Sequence, residues 1–245
     1  MNFYKLAQPD GFDFYTSKTI NYRENIGKVV KCPDYNKEGK LCSNAFIHAS
    51  RDPHQCFVGA KMPCSAYLVS GKPIKEDDNK CGFKNLKVVE ELNPEKLFKW
   101  RYKEACNPIN PTKLHAPGIN DKHIRLLNEW DLIKASVKDS VRASVWDLVR
   151  DSVRDSVWAS VWASIWDSVK DSVRASVWAS VWDSVWDLVW AYIGYIFQPV
   201  VLEWQKEYPY QGAVDLWKEG FIPVFFGDKK YLWSKDRGLE KIKGG

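Results

Sequence analysis

The sequence predicts a small α+β N-terminal domain followed by a four-sided β-solenoid with helical or hairpin caps, and three observations carry that expectation. First, residues 131–190 are fifteen consecutive tetrads of the form [Asp/Ala]-[Ser/Leu]-[Val/Ile]-[Trp/Lys/Arg], with no insertion. A four-residue apolar period matches neither the two-residue alternation of a strand nor the 3.6-residue repeat of a helix. On a helix each step of four overshoots one turn by about 40°, so the Val column would circle a single continuous helix in about nine tetrads. Second, the choice of Asp or Ala at the first tetrad position repeats at a shift of sixteen residues in ten of twelve comparisons, against four of fourteen at a shift of eight. Sixteen residues are four tetrads, which reads as one coil with four sides, Val or Ile pointing inward and coils stacked about 4.8 Å apart. Third, Val, Ile and Trp suit strands, while Val, Ser and Asp are middling-to-poor helix formers. The rival reading is one or more long α-helices over the same residues. Nine Asp and seven Lys/Arg within the tetrads exclude a membrane span.

The chain divides by pattern into a strand-rich α+β domain (1–106), a linker with an N-terminal capping helix (107–130), the tetrapeptide solenoid (131–198) and a C-terminal cap with a short helix and a hairpin (199–245). At the start, Phe3–Leu6 and Phe12–Tyr15 flank Pro9-Asp10-Gly11 and read as a strand, a turn and a strand. Gly27–Lys31, Ala45–Ala49, Ala66–Val69 and Phe83–Leu92 are further strand candidates. Pro94 sits at a helix start, and that helix is expected to run to about Glu104 before Asn107-Pro108-Ile109-Asn110-Pro111 breaks the chain. A second helix from Asn120-Asp121 should carry Ile124, Leu127 and Trp130 on one face and cap the first coil. Past Trp190 the tetrads keep their spacing and lose their charges, as a terminal coil buried under a cap should, until Pro199. A short helix stopped by Gly220 follows, then a hairpin about Gly227-Asp228 and a loose tail from Ser234.

Composition is that of a soluble globular chain: 245 residues, 45% hydrophobic, 27% charged and a net charge of +5. The first residues show no charged start followed by an apolar run, and no apolar stretch is long enough for a membrane helix. Six cysteines, all before residue 107, are therefore expected to be reduced. The expected setting is cytoplasmic, or the host cytoplasm for a virus-encoded protein.

The last tetrad column is the candidate binding surface. Every member is basic or Trp, with Lys134, Lys138, Arg142, Arg150 and Arg154 early, Trp146 among them, and Trp162 and Trp178 in the later tetrads. Cations interleaved with aromatic rings suit a nucleic acid or an acidic protein. The Asp column offsets that charge, so packing of Trp against a second copy is the favoured use and a homo-oligomer the favoured state. In the N-terminal domain, His48 on Phe46-Ile47-His48-Ala49-Ser50 is the one enzyme-like residue, a weak catalytic candidate beside the plain reading of a structural histidine. Cys32, Cys42, Cys56 and Cys64 are weak zinc candidates, since the closest pair, Cys56 and Cys64, is spaced too widely for the usual signature. No Walker loop, dinucleotide fingerprint, Gly-x-Ser-x-Gly elbow or His-Glu-x-x-His motif is present, and no cofactor is implied.

The run Leu41–Ser50, the Ser-Val tetrads and the segment from Ala213 to Trp233, taken in that order, resemble a group of phage and bacterial proteins with the same three parts. The resemblance covers most of the chain and implies no particular activity. The tetrads are similar to a shortened form of pentapeptide-repeat solenoids; the DNA mimicry known for those would need a strongly acidic face, and this repeat is nearly neutral. His48 followed by Ser50 and Arg51 faintly resembles the first motif of ADP-ribosyltransferase-like folds, which implies partners such as Tyr67 and Glu90 or Glu91 on later strands. The expected function is a non-catalytic, repeat-built interaction or self-assembly module, with a nucleotide or nucleic-acid binder, or such an enzyme, as the alternative.

Overall fold

The computed structural model describes residues 1–16, 19–146, 153–155, 157–159, 162 and 178–242. Two compact units emerge, Met1–Tyr102 with Arg150–Ser156, and Lys103–Val149 with Val157–Gly245.

The first unit is built on two antiparallel sheets. Strands β1 (Asn2–Ala7), β4 (Ser65–Ser70), β7 (Asn85–Leu92) and β2 (Val29–Lys31) form one in the order β1-β4-β7-β2. Strands β3 (Ile47–Ala49), β6 (Cys81–Phe83) and β5 (Lys75–Glu76) form the other in the order β3-β6-β5. Alternation places Phe3 and Ala7 of β1, Tyr67 and Val69 of β4, and Leu86 and Val88 of β7 in one buried cluster with Ile47, Ala49 and Phe83 from the second sheet. A bridge between Tyr4 and Ser50 brings β1 beside the end of β3.

Two expectations for this unit are corrected. The segment Phe12–Tyr15 forms no strand: Phe12 makes a single bridge to Asn21, the chain turns at Phe14–Thr16, and β1 pairs with β4 instead, Asn2 opposite Ser70 through Ala7 opposite Ser65. The cause is Asp13, whose carboxylate takes the amides of Tyr15 (2.8 Å) and Thr16 (3.3 Å) and folds the backbone away from strand geometry. The helix opened by Pro94 is short: α1 (Pro94–Phe98), capped by the Asn93 side chain, stops where Lys99 turns left-handed at φ 62°. A second short helix, α2 (Tyr102–Cys106), follows it. The break lets Phe98 stack on Trp100, Trp100 meet Tyr102 at a tilt, and Phe98 meet Phe57.

In the second unit α3 (Asp121–Ile133) begins at Asn120 with a capping box. The Asn120 side chain accepts from the amides of Lys122 and His123, and His123 Nδ1 accepts from the Asn120 amide. Its buried face is His123, Leu126, Leu127 and Trp130, with Ile124 half-buried. That face meets α6 (Gln211–Lys218) in a core that includes Leu126, Leu127, Leu216 and Phe221, so α3 is an integral helix of this unit and caps no coil. Gly220, at φ 84°, turns the chain after α6 into β8 (Ile222–Phe226) and β9 (Lys229–Ser234). The tail expected to be loose supplies a third strand, β10 (Gly238–Lys241), paired with β9.

The four-sided solenoid is wrong. Apart from a 3-10 turn at Lys134–Ser136, the described tetrads are α-helical: the end of α3, α4 (Val137–Trp146), α5 (Trp178–Phe197), and the residues 153–155, 157–159 and 162 between them. A Val column that circles the helix belongs to one uninterrupted rod. A 3-10 turn at Lys134–Ser136 separates α3 from α4, so α4 carries three members of the Val column, Val137, Val141 and Val145, all buried. Over those three the column drifts about 80°, within the stripe of about 100° that an amphipathic helix buries. Across the described residues of α4 a four-residue period is thus compatible with an amphipathic helix. Of the valines sixteen residues apart that a solenoid would stack, Val145 is on α4, while Val161 and Val177 fall outside the described residues. In α5 the uncharged end buries Val185, Leu188, Val189, Tyr192, Ile193 and Ile196, an ordinary i, i+3, i+4 pattern set against β8 and α6. Among the described residues no helix is long and apolar enough to cross a membrane.

Candidate functional site

The first unit contains a cavity of about 220 Å³ whose lining includes Lys5, Asp13, Tyr15, Cys42, His48, Ser50, Gln55, Cys56 and Lys80. Each of these is delivered by the local fold. Lys5 shares the core face of β1 with Phe3 and Ala7, a position where an ammonium is tolerated only with a counter-charge. Asp13 supplies it: Lys5 Nζ lies 2.5 Å from Asp13 Oδ2, both side chains nearly buried, and the Tyr22 hydroxyl donates to the same oxygen at 3.2 Å. Burial pushes the Asp13 carboxyl up, but the Lys5 charge and hydrogen bond, with the Tyr15 and Thr16 amides, outweigh it and hold the group at about 2. Burial and the neighbouring Asp13 charge keep the Tyr22 phenol well above its ordinary range. The saturated carboxylate is therefore an anchor. It fixes the turn that sets Phe14 and the exposed Tyr15 on the cavity wall.

His48 alternates with Ile47 and Ala49 of the core, and its Nε2 meets the Leu41 carbonyl. A carbonyl only accepts, so Nε2 carries the proton and donates. Burial lowers the imidazole's pKa, opposed by the Leu41 contact and reinforced by the charges of Lys5 and Lys80. The ring is then neutral near pH 7, with the Nδ1 lone pair unprotonated. Lys80 Nζ donates to Cys42 Sγ at 3.1 Å. Cys56 Sγ donates to the Tyr4 carbonyl at 3.1 Å, and burial pushes its thiol up to about 11. The charges facing the cavity therefore reduce to a neutralised Lys5–Asp13 pair, a neutral imidazole and the Lys80 ammonium.

Of the residues singled out by sequence, His48, Cys42 and Cys56 come together here. Cys32 Sγ instead donates to the Asn44 carbonyl, and Cys64 lies against the Tyr102 hydroxyl. Among the described residues no three His, Cys, Asp or Glu side chains are grouped as a metal would require. Tyr67 is buried in the core against Tyr22, and Glu91 is paired with Arg23 at 2.7 Å; these two and Glu90 do not line the cavity. Lys5, Asp13, Tyr15 and Lys80 were missed. The detectable signal was Lys5, a charge on the apolar face of a strand.

In the tetrads, Lys134 is paired with Asp131 and lies over the Phe225 ring at 3.8 Å. Lys138 and Arg142 are exposed on α4, and Arg154 is half-buried. Trp162 stacks on Trp158 (5.8 Å) and meets Trp186 edge-on (5.3 Å), while Trp158 also touches Trp186 and Trp190. Trp158, Trp162, Trp186 and Trp190 are each half-buried. Arg150 and the side chains of Trp146 and Trp178 lie outside the described residues. Comparison with protein-family models, curated proteins and solved structures returned no significant match.

Proposed function

We propose that the N-terminal unit binds a small anionic ligand of the nucleotide class in the His48 cavity. The observation that carries this reading is the meeting, on one cavity, of a neutral imidazole, an ammonium without a carboxylate within ion-pair distance among the described residues, and an exposed aromatic ring. Lys80 suits a phosphate, the Tyr15 face suits a planar base, and His48 Nδ1, left unprotonated by the Nε2 contact, can serve as an acceptor or proton-taking group for a hydroxyl of the ligand. Tuned side chains gathered in a concave site are a general mark of ligand binding. A panel of mono-, di- and trinucleotides tests it by thermal stability. One member at saturating concentration should raise Tm by several degrees. Lys80→Ala should weaken that ligand about tenfold or more, and His48→Gln should weaken it with the fold retained. A panel without effect on Tm and without heat in calorimetry rejects the reading.

A second reading, self-association through the helical repeat, is supported by the half-exposed Trp158, Trp162 and Trp186. An aromatic cluster left partly in water is a usual contact surface for a second copy. Light scattering of the full chain should give an oligomer that Trp162→Ala shifts toward monomer; a wild-type monomer at high concentration contradicts it.

A further inference from the structure

We propose that Cys42 and Lys80 are a redox modification site, closing to a reversible sulfur–nitrogen bridge on the rim of the His48 cavity. Cys42 is exposed, Lys80 is half-buried, both line the cavity, and the Nζ–Sγ distance is 3.1 Å. The segments that bring them together are fixed independently of that contact. The Asp77 carboxylate accepts from the amides of Asn79 and Lys80, each at 2.8 Å, and the Asp77 amide donates to the Lys80 carbonyl at 3.0 Å. On the other side, Lys75 Nζ donates to the Gly39 carbonyl at 2.9 Å and His48 holds Leu41 before Cys42, while the Asn44 carbonyl after it accepts from Cys32 Sγ at 3.2 Å, so the loop bearing Cys42 is tied on both flanks. The other thiols around this region are less available. Cys32 and Cys81 are buried, Cys56 donates inward to Tyr4, and burial raises the pKa of all three.

The chemistry needs a peroxide as oxidant. Hydrogen peroxide converts the Cys42 thiol to a sulfenic acid and is reduced to one water. The Lys80 amine, its proton given to solvent, then attacks sulfur; the S–N bond forms, the S–O bond breaks and a second water leaves. Sulfur loses two electrons and peroxide gains them; a thiol reductant reverses the bridge. Closing it pins the loop that carries Leu41, the carbonyl that sets the His48 tautomer.

The test is mass spectrometry of the full chain after peroxide treatment. The expected product is about 2 Da lighter than the reduced protein and yields a cross-linked peptide pair joining Cys42 to Lys80. Dithiothreitol should restore the original mass. Both signals should vanish in Cys42→Ser and in Lys80→Arg, the latter keeping the charge. Recovery of Cys42 as a sulfinic or sulfonic acid on a linear peptide, in a disulfide, or unmodified overturns the proposal. Because the readout is a covalent mass, it is independent of whether the cavity binds a nucleotide.

Discussion

Lys5 shows how one side chain commits its surroundings. Its ammonium sits on the apolar face of β1, and Asp13 answers it from a turn eight residues on. Breaking such a pair leaves a buried charge without a partner, so Lys5→Met should cost about 3–5 kcal/mol in denaturant unfolding, while Lys5→Met with Asp13→Leu should recover part of it. Asp13 also sets an acid limit. Its carboxyl is held at about 2 in the folded chain, against about 3.9 when unfolded. As pH falls the unfolded chain takes the proton first. The stability is thus full above about pH 4 and drains between about pH 4 and 2, a loss that Asp13→Asn should abolish. His48 runs in the same direction at higher pH. Its folded pKa lies below the ordinary value of about 6.5, so the unfolded state is protonated first and stability declines as pH drops below that point. Urea titrations of wild type and His48→Gln at about pH 7 and pH 5.5 measure the difference, which should be confined to the wild type.

At the scale of elements, the helices of the second unit depend on close approach. Gly194 on α5 lies against α4 and the Tyr208 ring: an added Cβ would stand 2.3 Å from Tyr208 Oη and 2.9 Å from Val141 Cγ2. Tyr208 donates to the Ala191 carbonyl at 2.6 Å, so the ring is already committed. Gly194→Ala should therefore destabilise by about 1–3 kcal/mol despite the better helix propensity of Ala. Asn120→Ala, which removes the side-chain oxygen that accepts from two backbone amides at the start of α3, should cost about 1 kcal/mol. Thermal or urea unfolding checks both. The strands were largely legible, since β1, β4 and β7 carry alternating or β-branched runs, and so were the Asn120 start and the β8–β9 hairpin. The Asp13 turn was hidden because Phe12, Phe14 and Tyr15 look like strand residues and only the carboxylate decides. The repeat was misread for a geometric reason. Period four rules out one long stripe, yet the three Val-column members described on α4 fit one helix face, and the break at Lys134–Ser136 has no Pro or Gly to announce it. His48 was visible as a polar residue on an apolar strand; its cavity was not, because Lys80 and Asp13 reach it from loops 32 residues ahead and 35 behind.

The molecule as a whole comprises a sheet-built unit holding a cavity and a largely helical unit holding the described tryptophans of the repeat. The claim on which the functional reading rests is that His48 presents a neutral ring with its proton on Nε2 to a ligand in that cavity. Nitrogen-15 spectroscopy of the histidine rings in the full chain near pH 7, followed through a nucleotide titration, tests it directly. The prediction is a neutral Nε2–H imidazole, assigned by its loss in His48→Gln, whose Nδ1 signal shifts saturably with one nucleotide. A ring protonated at both nitrogens, a proton on Nδ1, or an Nδ1 signal that no nucleotide moves would contradict it.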